Sequence, residues 1–365
     1  MKKLKYTKKQ VERAGKKLLC DSLLSNKKEF TEVMDILSFW RFSHEKPLEK
    51  AFKLLQVEVK KVEKNPIFGK RLKRQISISS KLQRFEKMSL KNMQDIGGCR
   101  AVVANQKKIR KIIRGLKKHS EFKTKEGNFR TKDYIKTPKK DGYRSYHIVG
   151  RFSDQFEEKR QIEIQLRTYI QHYWATALEI VDLFTNQALK SNQGDAKWAE
   201  LFKGTSSLFE LIEDIPLFYS LSPKDRWLKF SKVVKNNRNA TDLCKSIKKL
   251  IPQLRVIQSL EAYANSLQIM NKQIESKPVN GYVILVVKIK KNEGEVLIRV
   301  FTPEEAEEAE REYIQQEKNF AGENNIVVAM VLTSSMEEVK NAYPNYFADS
   351  SSFITLLQLI KTADI

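Results

Sequence analysis

The sequence predicts an α+β protein, with a mixed β-sheet flanked by helices, a helical linker and a small C-terminal α/β domain. Apolar and polar residues alternate over Gln161–Arg167, which predicts a strand because successive strand side chains point to opposite faces. Apolar residues recur at helical spacing before residue 65 and again over 182–272. The predicted units span residues 1–190, 191–275 and 276–365.

The first unit has helical ends around a strand-rich centre. Its first 65 residues predict amphipathic helices with lysines on their exposed faces. A short buried strand follows the glycine pair at 97–98, and a second strand surrounds Glu163. A helix is predicted near His172, where apolar residues again recur three and four apart.

The C-terminal unit combines strands with acidic helices. Strands are predicted over 282–289, 295–301 and 326–332. A helix is predicted after Thr302-Pro303, which supplies a cap and a first-turn proline, and another from Ser334 or Ser335. The unit contains no cysteine or histidine, so we expect a metal-free module and not a zinc finger.

Composition indicates a soluble protein with a polyanionic partner. The 365 residues carry a net charge of +24. The most apolar run, Tyr282–Val287, is far too short to span a bilayer, so no membrane partner is predicted. The three cysteines are scattered, which predicts neither a disulfide framework nor a metal site and favours a cytoplasmic location.

The charge is unevenly distributed along the chain. Residues 276–365 hold 9 Lys and Arg against 14 Asp and Glu, a net charge of −5, so the rest of the chain carries +29. One interpretation is ordinary drift in composition between domains. The other is that the acidic tail docks on the basic body in place of an anionic ligand.

A cationic segment predicts a phosphate-binding helix. Its cations are Arg71, Lys73, Arg74, Lys81 and Arg84. If the chain is helical from Ser77, then Ser77, Lys81 and Arg84 share one face. Serine and lysine near a helix start bind phosphate well, because free backbone N–H groups add to the side chains.

Two acidic residues are candidate magnesium ligands. Asp95 precedes the glycine pair at the mouth of a strand, where a carboxylate can bind Mg²⁺ or can simply form a turn or cap. Glu163 lies on the polar face of its strand, beside Gln165 and Arg167. A carboxylate, an amide and a guanidinium in one row suit a polyphosphate held with a metal ion.

The loop Pro138–His147 has the composition of an acceptor-binding segment. Lys139, Lys140 and Arg144 would attract a phosphorylated acceptor, and Tyr143 offers a ring on which a base can stack. A single histidine such as His147 is more often structural than functional.

Two further segments have a functional and a structural interpretation. The first is a basic helix with the cations Lys107, Lys108, Arg110, Lys111, Arg114, Lys117 and Lys118. It is either a solvated face or a surface that follows a phosphate backbone. The second is the pair Tyr343 and Tyr346 around a proline, which is either an unusual exposed turn or packing within the small domain.

Taken together, these motifs resemble the RelA/SpoT-type nucleotide pyrophosphokinase domain, the alarmone synthetase family. The matching residues are Arg71, Lys73, Ser77, Lys81, Asp95, Gly98, Arg100, Lys132-Asp133-Tyr134-Ile135, Gly142-Tyr143-Arg144-Ser145, His147, Glu163, Gln165, Arg167 and Trp174-Ala175. The resemblance covers roughly residues 40–190. It implies a fold similar to the nucleotidyltransferases and transfer of the β,γ-pyrophosphate of ATP to a 3′-hydroxyl, with release of AMP.

The resemblance also implies roles for individual residues. Arg71 and Arg100 would sandwich the adenine of ATP. The triphosphate would be held by Lys73, Ser77, Lys81 and Arg84. Asp95 and Glu163 would bind Mg²⁺, with Glu163 activating the attacking hydroxyl. The acceptor would be bound by Lys139, Lys140, Tyr143, Arg144, His147, Gln165 and Arg167.

The tail resembles the fused antitoxin of CapRel-type toxic small alarmone synthetases. There, the tyrosine motif blocks the ATP site, the acceptor is the 3′-CCA end of tRNA, and a phage structural protein such as the major capsid protein relieves the block. This resemblance implies a self-inhibited enzyme in which Tyr343 and Tyr346 are inhibitory. Two alternatives are a (p)ppGpp or (p)ppApp synthetase with an allosteric tail, and an RNA-binding module without chemistry.

The sequence departs from the housekeeping members of the family in two respects. Those members carry a histidine after the Trp-Ala…Glu segment, whereas here Ile180 follows Glu179. The motifs of a His-Asp metal hydrolase are also missing from the sequence, so we expect no degradation of the product.

Overall fold

The computed structural model describes residues 6–365 apart from 154–157, 186–188, 190–193, 214, 216, 275–279, 291–292, 324, 334 and 348–349. The two predicted unit boundaries, at 190/191 and 275/276, lie outside the described residues.

A five-stranded mixed sheet forms the centre of the first unit. Its strands are β1 (Ile67–Leu72), β2 (Gly97–Val103), β3 (Arg130–Asp133), β4 (Tyr146–Ser153) and β5 (Lys159–Thr168). They lie in the order β1-β2-β5-β4-β3, with β2 and β5 parallel and the other pairs antiparallel. This confirms the predicted mixed sheet and its two central strands. The register places Gly98 beside Glu163 and Arg100 beside Gln165.

Six helices flank this sheet. They are α1 (Lys8–Lys17), α2 (Lys27–Phe42), α3 (Glu45–Lys60), α4 (Gln75–Arg84), α5 (Gln106–Leu116) and α6 (Tyr169–Thr185). Ile162, Ile164 and Leu166 of β5 are buried against α3 and α5. Because strand side chains alternate, Glu163 and Gln165 point to the other face of the sheet. Burial of the apolar face of β5 therefore orients Glu163 and Gln165 toward the opposite side of the sheet.

A helical layer packs beside α6. Its members are α7 (Ala196–Glu213), α8 (Pro223–Lys235), α9 (Arg238–Gln253) and α10 (Val256–Ile274), as expected for a helical linker. Trp174 of α6 and Phe202 of α7 belong to one large apolar core, and the indole N–H of Trp174 donates to the Phe202 carbonyl at 2.9 Å. The helical layer is thus joined to the first unit through a continuous core.

A three-stranded antiparallel sheet follows, with strand order β7-β6-β8. Its elements are β6 (Gly281–Lys290), β7 (Glu293–Phe301), α11 (Ala306–Asn319), β8 (Ile326–Thr333) and α12 (Met336–Ala342). These lie within a few residues of the predictions. The first acidic helix begins slightly late, because Thr302 caps a short 3₁₀ turn at Pro303–Glu305 before α11. We call residues 281–347 the regulatory module, after the role that the CapRel-type resemblance implies for them.

The last helix, α13 (Ser351–Thr362), packs against α6, α8, α9 and α10. The Phe353 ring lies 5.8 Å from the Phe202 ring and 5.7 Å from the Phe209 ring. Trp227 of α8 donates its indole N–H to the Thr362 carbonyl at 3.0 Å. Phe353 of α13 and Val283, Ala342 and Tyr346 of the regulatory module belong to the same apolar core as Phe202.

Membrane insertion was not expected from the sequence. Across the described ranges, none of the helices combines the length and hydropathy that a bilayer crossing requires.

Candidate active site

A cleft opens over β1, β2, β5 and the start of α4. Its lining comprises Gly69, Lys70, Arg71, Lys73, Arg74, Ser77, Asp95, Gly98, Cys99, Arg100, Glu163, Gln165 and Ala342. The structure thus brings together most residues predicted to bind ATP and both predicted magnesium ligands. Ala342 belongs to the regulatory module, so the module forms part of the wall.

Helix α4 presents its polar face to the cleft because its apolar face is buried elsewhere. Ile78 and Leu82 pack into a core with α1 and α2, which leaves Ser77 and Lys81 on the cleft side. Arg84, the third predicted member of this face, lies at the exposed end of α4 with its guanidinium 5.1 Å from the Phe85 ring centroid. Arg84 is not among the residues that line the cleft, and its contact with the triphosphate stays a prediction.

Asp95 is held between two lysines. Its Oδ2 lies 2.9 Å from Nζ of Lys73, and its Oδ1 lies 2.9 Å from Nζ of Lys81. Burial alone would raise the pKa of Asp95, but the two lysines lower it below its usual value. Burial lowers the pKa of Lys73 in spite of this partner. The carboxylate is therefore ionised, and the alternative role as a simple turn former does not fit its contacts.

Glu163 is also ionised and held by neighbours on the sheet. Its Oε1 lies 3.1 Å from Nδ1 of His147, and its Oε2 accepts from the Gln165 side-chain amide at 2.7 Å. Burial would raise the pKa of Glu163, but His147 and Gln165 lower it far below its ordinary value. His147 is thus a direct partner of a candidate catalytic carboxylate, a closer involvement than the structural role that a single histidine usually has.

Tyr143 joins this network through its hydroxyl group. The hydroxyl lies 2.9 Å from Nε2 of His147 and accepts from Arg167 at 2.7 Å. Burial would raise the pKa of Tyr143, but Arg167, His147 and Lys139 lower it. Nζ of Lys139 and the Arg167 guanidinium lie 4.5 and 5.0 Å from the ring centroid. Stacking of an acceptor base on this ring would therefore compete with two cations.

Arg144 ties the loop to α7. Its side chain is 10% exposed, and its guanidinium donates to both carboxylate oxygens of Glu210 at 2.9 and 2.6 Å and to the Ile135 carbonyl at 3.0 Å. These contacts engage the cation within the protein, and its role as an acceptor ligand stays a prediction. Lys139 and Lys140, by contrast, are exposed.

The basic helix α5 does not line the cleft. Ile109, Ile112, Ile113 and Leu116 form its buried stripe as predicted, and they pack with the apolar face of β5. Helix α5 therefore lies on the opposite side of the sheet from Glu163. Lys108 pairs with Glu63 at 3.0 Å, and Arg110 pairs with Asp133 at 2.6 Å. Two of the seven cations are thus already neutralised.

Residues 341–346 of the regulatory module sit on the cations predicted for adenine. The guanidinium of Arg71 lies 5.2 Å from the Tyr343 ring centroid, and that of Arg100 donates to the Asn341 carbonyl at 2.6 Å. Tyr343 and Tyr346 are buried and stacked on each other, with ring centroids 5.3 Å apart. The interpretation as an exposed turn is therefore wrong, and packing within the small domain is incomplete, because the two rings also contact Arg71 and Arg74.

Sequence analysis missed Arg74 as a contact of the module. Arg74 donates to the Tyr346 hydroxyl, and its guanidinium lies 5.6 Å from that ring centroid. The sequence feature that could have indicated this contact is the position of Arg74 within the cationic segment. Arg41 and Glu317 were also missed, because their contact joins residues 276 positions apart.

The cleft can accept a magnesium ion with its nucleotide. Asp95 and Glu163 are both ionised, and their charges interact. Two carboxylates suit Mg²⁺, which is commonly bound by one or two of them together with substrate phosphates. Among the described residues, no group of three or more His, Cys, Asp or Glu could hold an ion alone. The cleft thus combines several cationic side chains with two carboxylates, an arrangement suited to a nucleotide bound with its metal ion.

Comparison with known proteins shows what this domain is similar to. Residues 70–180 match the family model described as the region found in RelA / SpoT proteins. The chain is 31% identical over 88 residues to the GTP pyrophosphokinase YwaC and 33% identical over 90 residues to the GTP pyrophosphokinase YjbM, both of Bacillus subtilis. These matches cover 23% and 24% of this chain and 40% and 41% of the relatives, so the chain spans about two fifths of their length.

Solved structures with similarity to this chain include two synthetases. One is the small alarmone synthetase 1 from Bacillus subtilis bound to its product pppGpp, with 25% identity, a TM-score of 0.38 and coverage of 46% of this chain and 90% of that one. The other is a GTP pyrophosphokinase family protein from Streptococcus pneumoniae, with 21% identity, a TM-score of 0.38 and coverage of 52% and 96%.

Proposed function

We propose that this protein is an ATP-dependent pyrophosphokinase that transfers the β,γ-pyrophosphate of ATP to a 3′-hydroxyl and releases AMP. The observation that carries the proposal is the position of Asp95 and Glu163 in one cleft with Lys73 and Lys81. Transfer of this kind needs positioned substrates and neutralised phosphate charge more than covalent chemistry.

The residues of the cleft divide between the two substrates. Lys73, Ser77 and Lys81 bind the triphosphate, and Arg71 and Arg100 flank the adenine. To do so, the two lysines exchange the Asp95 carboxylate for phosphate oxygens.

The exchange leaves Asp95 free to hold, with Glu163, the magnesium ion of the nucleotide. When bound, that ion neutralises charge on the transferred group. Glu163 accepts the proton of the attacking hydroxyl, and its contact with His147 at 3.1 Å holds it in place.

We propose the 3′-CCA end of tRNA as the acceptor, so that transfer blocks translation. The net charge of +29 outside residues 276–365 supports this, because a polynucleotide rewards many phosphate contacts at once. A guanine nucleotide is the second candidate, favoured by the names of the relatives, which are GTP pyrophosphokinases. The exposed Lys139 and Lys140 would contact phosphates of either acceptor.

We further propose that the regulatory module inhibits the enzyme. Tyr343 and Asn341 contact the cations Arg71 and Arg100, so ATP and the module compete for one surface. Following the CapRel-type resemblance, the activator is a phage structural protein such as the major capsid protein, and the setting is anti-phage defence in the cytoplasm.

Transfer of label from γ-labelled ATP tests the proposed activity and its proposed inhibition by the module. Tyr343→Ala in the full chain should move label from ATP to deacylated tRNA, with little transfer by the unaltered protein. Asp95→Asn in the same background is the matched control and should remove transfer. Tyr346→Phe keeps the ring but loses the hydroxyl contact with Arg74, so we expect a smaller release.

The acceptors are compared side by side, with deacylated tRNA in one reaction and GDP or GTP in another. Label on guanine nucleotides alone would reject the tRNA acceptor and leave pyrophosphate transfer intact. Label on neither acceptor in any variant would contradict the proposed activity. Point variants are preferred to truncation after residue 275, because truncation would also remove α13 from the helical layer.

A further inference from the structure

We propose that Arg41 and the amino terminus of α4 form a phosphate-binding site in the synthetase domain, and that Glu317 of the regulatory module occupies it in place of phosphate. The inference rests on the proposed function because it extends the triphosphate site on α4. It concerns binding alone, so it can be tested without the transfer reaction.

The first observation is a buried ion pair between the two units. Nη1 of Arg41, on α2, lies 2.6 Å from Oε2 of Glu317, on α11, with side chains 2% and 4% exposed. Tyr313, one turn before Glu317, donates its hydroxyl to Oε1 at 2.7 Å, and its ring centroid lies 4.9 Å from the Arg41 guanidinium. Buried charges are costly unless they are paired, so the carboxylate is needed wherever Arg41 is covered.

The second observation concerns the start of α4. An anion is stabilised at a helix amino terminus by free N–H groups and by the helix dipole. Arg74 at the N-cap has a side chain that cannot accept a hydrogen bond, and the first turn contains no acidic residue. The Gln75 N–H instead points to Oε1 of Glu317 at 3.5 Å, a partner 242 residues away. One carboxylate thus bridges Arg41 and the first N–H of α4.

The third observation is that the carboxylate leaves part of the site unused. The Nε of Arg41 is buried and has no hydrogen-bond partner among the residues that the structure describes. A phosphate group carries more acceptor oxygens than a carboxylate, and the planar guanidinium fork matches it well. Arg41 therefore keeps a buried donor that Glu317 does not use.

Attachment of the regulatory module to α2 does not by itself explain why Arg41 is buried at this position. Lys318, the residue after Glu317, already ties α11 to α2 through Asp35 at 2.8 Å, at the partly exposed edge of the same contact. Glu317 differs from Lys318 in that it also reaches α4, the helix that carries Ser77 and Lys81. When the module leaves, Arg41 loses its counter-charge, and a phosphate takes the place of Glu317. Phosphate binding and docking of the module are thus mutually exclusive at this point.

The test measures binding of inorganic tripolyphosphate to the full chain at fixed salt, by titration calorimetry. Glu317→Gln keeps the size of the side chain and removes its charge. It should bind tripolyphosphate about tenfold more tightly than the unaltered protein, the scale of one charge-assisted hydrogen bond. Adding Arg41→Gln should remove this gain. Lys318→Met, the matched control, should show no gain.

Equal binding by Glu317→Gln with and without Arg41→Gln would overturn the proposal, as would an equal gain from Lys318→Met. If Arg41→Gln does not fold, hydrogen exchange decides the matter. In Glu317→Gln, tripolyphosphate should slow amide exchange in residues 75–77, and unchanged exchange there would also overturn the proposal. Tripolyphosphate binding without any label transfer would contradict the proposed enzyme activity and leave this site in place.

Discussion

Arg144 and Glu210 form a two-point contact across 66 residues, with donor–acceptor distances of 2.9 and 2.6 Å. Arg144 belongs to the loop that carries Tyr143, and Glu210 belongs to α7 of the helical layer. The Ser206 hydroxyl on the same helix donates to the Gly142 carbonyl. We call the loop Pro138–His147, which is proposed to bind the acceptor, the acceptor loop. Its conformation is therefore set by α7, a helix outside the residues that match RelA / SpoT proteins.

Glu210→Gln should loosen this loop without disturbing the ATP side of the cleft. We expect the free energy of unfolding to fall by about 1 kcal/mol, because Glu210 is partly exposed and solvent can replace part of the pair. With Tyr343→Ala present in both proteins to relieve the proposed inhibition, the KM for the acceptor should rise while the KM for ATP stays unchanged. Glu200→Gln is the matched control, since Glu200 lies on α7 but contacts Ser246. An equal change in both KM values would contradict a role confined to the loop.

Gly142→Ala should cost more stability than Gly127→Ala. Both glycines have positive φ, +94° and +77°, so alanine introduces backbone strain at either position. An added Cβ at Gly142 would also meet Cβ of Ser206 at 3.0 Å and Cα of Lys203 at 3.1 Å, whereas none of the described atoms lies within 4 Å at Gly127. We expect a loss of about 1 kcal/mol for Gly127→Ala and at least twice that for Gly142→Ala. Urea unfolding measures the loss of stability in each variant. Equal losses would show that α7 shifts to accommodate the new methyl group.

Glu310→Gln should alter how stability depends on pH. Burial, followed by the charges of Glu45 and Glu307, raises the pKa of Glu310 to about 7. The folded state then holds a proton that the unfolded state releases at lower pH, so this carboxyl favours unfolding as pH rises from about 4.5 to 7. The effect is about 1 kcal/mol after allowance for solvent, and Glu310→Gln should remove it. Parallel stability curves for the two proteins across this range would contradict the assignment.

Phe353→Ala should destabilise the synthetase domain although residue 353 lies far beyond it in sequence. The ring is buried against Phe202 and Phe209, so its loss leaves a cavity in the core beneath the acceptor loop. We expect the free energy of unfolding to fall by about 3–5 kcal/mol. Leu297→Ala on the exposed edge strand β7 is the control and should cost well under 1 kcal/mol. A small effect of Phe353→Ala would mean that α13 is dispensable for the helical layer.

Local sequence pattern predicted the helices and strands, and it predicted which neighbouring residues of the site share one face. The alternation around Glu163 placed Gln165 and Arg167 on its face, and the 3.6-residue period found α4 with Ser77 and Lys81 together. These relationships join residues a few positions apart, where periodicity determines direction.

Long-range pairings were beyond the reach of local pattern. The same cationic composition describes Lys140, which is exposed, and Arg144, which is buried on Glu210. The residue type of a cation does not predict which helix carries its partner when that helix lies dozens of residues later in the sequence. The same limit hid the bridge from Arg41 to Glu317.

The position of α13 has a consequence for biosynthesis. A ribosome makes residues 281–347 before it makes Phe353, yet Phe353 fills the core that Phe202 and Phe209 begin. A nascent chain therefore completes its helical layer only after the segment that covers Arg71 has already emerged. Limited proteolysis of stalled chains ending at residue 350 should find α7 more readily cleaved than in the finished protein. The order of residues alone means that the proposed inhibitory segment is synthesised before the helical layer is complete.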